Sequence, residues 1–143
     1  MSNPESTKPF VVAERTEPRV YVGRNERGAE VRIGFPGAEG TFSPGELLRL
    51  AAAGCAAISA DHALASRLGD DFDASFSVRG AKPADGEDRY EYIDTIMEVD
   101  WSELDPEKLE PLLERVHRAI DRYCTVGHTL EHGAESRVTI TSK

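Results

Sequence analysis

The chain has 143 residues, with 26 acidic and 17 basic side chains and a formal net charge of -9. That balance argues against a nucleic-acid partner, because phosphate backbones are bound by clustered Lys and Arg. A share of 39% hydrophobic and 30% charged residues describes a water-soluble globular chain of one-domain size. No uninterrupted run approaches the roughly 20 apolar residues of a membrane-spanning helix. The opening MSNPESTKPF carries no apolar stretch behind a basic cluster. The expected location is therefore the cytoplasm, away from membranes.

Residues 1–9 read as a flexible tail ahead of a single domain over 10–143. Three short strands are expected first. Residues 10–14 carry Val11 and Val12, residues 20–22 are β-branched and aromatic, and residues 30–34 alternate Val31 and Ile33 with polar neighbours. Asn25 to Gly28 reads as the turn between the last two.

A long helix is predicted over residues 43–68. Ser43-Pro44-Gly45-Glu46 has the form of a capping box with proline at the first helical position, and Gly69 supplies the stop. Residues 50–58 carry no polar side chain on any face, so this stretch is expected to be buried all round. Residues 72–80 and 90–101 alternate with period two, and Pro83-Ala84-Asp85-Gly86 between them predicts a turn and hence a hairpin.

A second helix is predicted over residues 106–123. Leu109, Leu112, Leu113, Val116, Ala119, Ile120 and Tyr123 form one stripe, and Asp105 and Pro106 open it. Pro111 is awkward in a helix interior, where it costs about 3 kcal/mol, so a regular helix starting near Pro111 is the alternative. Alternating Val138 and Ile140 predict a closing strand over 136–142. This order is not strict strand–helix alternation, and the expected class is α+β.

The two cysteines, Cys55 and Cys124, are the chemistry-bearing residues that stand out. In a reducing compartment they are either two buried thiols or a redox pair. A thiol inside an apolar helix has its thiolate disfavoured, so a reactive Cys55 needs a cation beside it. Its own helix offers none: Arg49 lies about 240° and Arg67 about 120° round the axis, and His62 is two turns away. The candidates from another segment are Arg19, Arg24 and Arg27. His128 and His132 are four residues apart but lack the His-Glu-x-x-His order and a third ligand. Solvated histidines and no metal are expected there.

At these residues the chain resembles a known family. Phe42-Ser43-Pro44-Gly45-Glu46-Leu47-Leu48 followed by Ala52-Ala53-Gly54-Cys55 is similar to the OsmC/Ohr pattern of a helix that opens with Pro-Glu-Glu-Leu and reaches an Ala-rich Cys. Cys124-Thr125-Val126-Gly127 resembles that family's Cys-Pro-Val-Ser segment. The resemblance runs over residues 10–142. It implies the OsmC-like α+β fold, an intertwined homodimer with active sites at the subunit interface, and reduction of organic hydroperoxides without metal or organic cofactor. By position it makes Cys55 the peroxidatic and Cys124 the resolving cysteine, with Arg24 the nearest match to the arginine that stabilises the thiolate. An external dithiol, such as a lipoylated protein, would be the reductant. Two departures are visible. Gly45 stands where the family has the Glu that holds the arginine, with Glu46 adjacent, and Thr125 and Gly127 replace Pro and Ser. The missing Glu favours the alternative, a non-enzymatic OsmC-fold dimer that binds an apolar ligand or partner.

Overall fold

The computed structural model describes residues 10–143; the expected tail over residues 1–9 lies outside the described residues. Backbone contacts group the chain into two compact units, one ending at Leu48 and one beginning at Arg49.

The first unit holds an antiparallel sheet of β1 (Val12–Glu17), β2 (Val20–Arg24) and β3 (Glu30–Ile33), in that order. Glu17 pairs with Val20, so Pro18 and Arg19 alone make the first turn. Arg19 takes a left-handed backbone there, with φ 64. A register shift between Arg15 and Glu17 lets this turn join twisted strands. The second turn forms where the sequence places it. The Asn25 side-chain oxygen accepts from the Arg27 and Ala29 N–H groups, both at 3.0 Å, and Gly28 supplies φ 90.

Helix α1 (Pro44–Leu68) opens with the expected capping box. The Ser43 N–H donates to Glu46 Oε1 at 3.0 Å, and the Glu46 N–H donates to Ser43 Oγ at 3.2 Å. Gly69, at φ 87, ends it. The second unit continues from within α1 through β4 (Ala74–Ala81), β5 (Tyr92–Val99), α2 (Pro106–Tyr123) and α3 (Thr125–His132). β4 and β5 form the predicted hairpin, with Phe76 opposite Met97 and Ala74 opposite Val99. Its inward side chains meet Ala60, Ala63 and Leu64 of α1 and Leu112 and Val116 of α2, which form the core of this unit. By length and by a mean hydropathy of 1.2, α1 could cross a membrane, although it is not an uninterrupted apolar run. Its buried Ala60, Ala63 and Leu64 serve the protein core.

α2 runs unbroken through Pro111 over the predicted residues 106–123, and the alternative start near Pro111 is not taken. Two expectations change. Residues 125–132, for which no element was expected, are a helix. Residues 136–142 form no strand, and Val138 and Ile140 are exposed. Alternation supplies suitable side chains, but a strand needs a partner's backbone, and none of the described strands pairs with this segment.

Candidate functional site

Cys55 lies midway along α1, partly exposed, and Cys124 is buried at 5% exposure; both are free thiols. Cys124 is the single residue between α2 and α3. It closes the first helix, its N–H donating to Ile120 O at 3.0 Å, and caps the second. A helix N-terminus leaves amide donors without helical partners. In α3 the Gly127 N–H donates to Cys124 Sγ at 3.4 Å, and the Val126 and Thr125 N–H groups lie near enough to the Cys55 sulfur to lower its pKa. Gly127 must be small for this, since a Cβ there would stand 3.1 Å from Cys124 Sγ.

The two thiols titrate in opposite directions. Burial raises the pKa of Cys55. The Val126 N–H, the Cys124 S–H, the Thr125 N–H and the Ser59 hydroxyl together outweigh it and hold Cys55 below its ordinary value. For Cys124 burial again raises the pKa. The Gly127 N–H opposes it, while the Cys55 sulfur and the Glu131 carboxylate add to the rise, so Cys124 stays above its ordinary value. These directions favour the thiolate on Cys55, with the Cys124 S–H as a hydrogen-bond donor to it.

The groups lowering the Cys55 pKa are all neutral. The structure brings Cys55 and Cys124 together at the start of α3, where backbone amides and a thiol act on Cys55 in place of the expected cation. Among the proposed arginines, Arg24 belongs to the sheet of the first unit. Its Nε donates to Glu30 Oε1 at 3.0 Å and its Nη1 to Glu14 Oε1 at 3.4 Å. Arg19 lies in the β1–β2 turn and Arg27 in the β2–β3 turn. Glu46 closes the capping box. His128 and His132 are not simply solvated: His128 Nε2 bonds to Asp121 O, and His132 Nδ1 bonds to His128 O. No group of three or more metal-ligating side chains occurs among the described residues.

A cleft of about 350 Å³ in the second unit reaches Cys124. Its walls include Ala52, Ala56, Phe76, Met97 and Ile120, with His117 and Glu131 as polar members. It can accept a small apolar group beside Cys124; Cys55 does not line it.

A sequence profile of the family described as OsmC-like protein matches residues 37–139. An uncharacterized protein of Mycobacterium tuberculosis strain H37Rv is 47% identical over 120 residues, covering 84% of this chain and 87% of that one. The OsmC-like protein of Mycoplasma pneumoniae superposes with a TM-score of 0.65 at 17% identity, over 90% of each chain. The organic hydroperoxide resistance protein OhrB of Bacillus subtilis superposes at 0.53 with 20% identity, over 86% of this chain and 90% of that one. Those two likenesses establish the fold, and the profile match, which spans most of the chain, establishes kinship: the chain belongs to the OsmC-like protein family.

Proposed function

We propose that the protein is a cysteine peroxidase that reduces organic hydroperoxides. The observation that supports this reading is the pairing of the two thiols at the start of α3, with the Cys55 pKa lowered and the Cys124 pKa raised. The Cys55 thiolate attacks the distal peroxide oxygen, the O–O bond breaks, and the alkoxide leaves and takes up a proton, for which the Cys124 S–H is an adjacent source. Cys55 is then a sulfenic acid. Cys124 attacks its sulfur, the S–O bond breaks, hydroxide leaves and takes up the proton that Cys55 released on ionising, and a Cys55–Cys124 disulfide remains. The sum is peroxide plus two thiols giving alcohol, water and disulfide. A cytoplasmic dithiol, a lipoylated protein being one such donor, regenerates both thiols by exchange and is itself oxidised. The working form is a homodimer, and Arg24 adds a cation to the thiolate there.

The titration that tests this counts free thiols before and after one equivalent of cumene hydroperoxide. The expected result is loss of both thiols per peroxide and a Cys55–Cys124 disulfide on peptide mapping. Two thiols still free after treatment would sink the peroxidase. The apolar cleft and the Gly45 departure favour a second reading in that event, a dimer that binds an apolar ligand without turnover.

A further inference from the structure

Cys124 alone separates α2 from α3, at φ -77 and ψ 87, so two backbone dihedrals set the angle between the helices. The Val126 and Thr125 amides that lower the Cys55 pKa are the first of α3, so that angle decides where they point. The half-buried side chain of His128 crosses the corner. It lies one turn into α3 and bonds through Nε2 to Asp121 O, in the last turn of α2. The carbonyls of a helix's last turn lack helical partners, so Asp121 O is an acceptor waiting for a donor.

We propose that His128 is a positioning residue for the Cys55 thiolate: its imidazole ties α3 to the end of α2 and keeps the first amides of α3 aimed at the sulfur. Its importance for catalysis rests on the peroxidase reading, but its effect on the thiol does not. A carbonyl only accepts, so Nε2 carries the proton in this bond. The neutral ring with that tautomer and the imidazolium both satisfy it. The tether works through geometry and needs no charge on the ring. The groups acting on the thiol pair are the Val126, Thr125 and Gly127 amides, the Ser59 hydroxyl and, on Cys124, the Glu131 carboxylate. Substitution at His128 replaces none of these groups and changes only the aim of the α3 amides.

The test measures the rate of iodoacetamide alkylation at Cys55 against pH in the full chain, with the modified peptide identified by mass spectrometry. The variants are His128→Phe, His128→Asn and His128→Gln. Phe keeps the ring but has no donor, Asn has a donor on a shorter arm, and Gln presents an amide donor at about the reach of Nε2. The expected midpoint rises by about one pH unit in the Phe and Asn variants, which is about tenfold slower alkylation well below the midpoint. The Gln variant should alkylate close to the parental rate. Parental midpoints in folded Phe and Asn variants would overturn the proposal, and so would a Gln variant as impaired as Phe. If Phe fails to fold, the Asn and Gln pair decides. If all three fail, His128 supports the fold and not the thiol, and the proposal falls. Peroxide consumption by the parent is scored separately. An inert parent with shifted variants would end the peroxidase reading and leave the tether standing.

Discussion

In the mechanism we propose, Cys124 does three things with one side chain: cap α3, donate a hydrogen bond to the Cys55 thiolate, and attack its oxidised sulfur. Substitution separates these tasks. Cys124→Ala removes the donor, so the Cys55 pKa should rise and its alkylation near neutral pH should slow several-fold, read by a pH–rate profile. Cys124→Ser retains a donor and a cap, so the initial reaction should survive. With no resolving sulfur, that variant should hold a sulfenic acid at Cys55 that a dimedone-type probe traps, and it should over-oxidise as peroxide is raised. The pH dependence has a definite sign. A pKa below the ordinary value means thiolate persists to lower pH, so Cys55 should reach its alkylation plateau at lower pH than Cys124, whose pKa is raised. Arg24→Ala should slow Cys55 alkylation further if the arginine reaches the thiolate in the dimer. An unchanged rate would leave activation to α3 alone. The two cysteines were legible in the sequence because their flanking residues carry a pattern. The amides that activate Cys55 were not, because a backbone N–H has no letter of its own. Cysteine is also not among the usual capping residues, Ser, Thr, Asp and Asn, so residue 124 did not announce a helix start.

At the scale of elements, periodicity found what burial enforces. The stripe on α2 was readable because Leu112 and Val116 must meet Leu64 and the hairpin, and all three are at most 1% exposed. Leu112→Ala should destabilise by about 2–5 kcal/mol, measured by urea unfolding, through lost burial and the cavity left behind. Pro111 is the opposite case. It sits exposed inside a continuous helix and withholds an N–H from Glu107 O. Pro111→Ala should stabilise the chain by about 2 kcal/mol, the interior proline penalty being partly offset by a freer unfolded chain. α3 was missed for a physical reason. Eight residues with a single Val126–Leu130 step of helical spacing give too short a period to read, and its left-handed Gly133 stop is a signal that has force only once a start is recognised. The segment over residues 136–142 failed in the other direction, since its pattern is local whereas pairing is not.

For the molecule as a whole, the expectation that residues 50–58 are buried all round is met on one side only. Ala52, Ala53 and Ala56 are buried, whereas Ala51, Gly54 and Ile58 are exposed, Ile58 at 79%. Those three fall on one helical stripe, and a Cβ on Gly54 would meet no other part of the described residues within 4 Å. In the homodimer we propose, a second copy covers that stripe. The parent should sediment as a dimer at micromolar concentration, and Ile58→Lys should sediment as a folded monomer with unchanged far-ultraviolet circular dichroism. A parental monomer would count against the dimer. An apolar stripe that only a second copy covers ties folding to mass action. Dilution then acts as a mild denaturant, and each tenfold rise in protein concentration adds about 1.4 kcal/mol to the apparent stability of the dimer. The melting temperature should therefore climb with concentration in the parent and stay level in the Ile58→Lys variant.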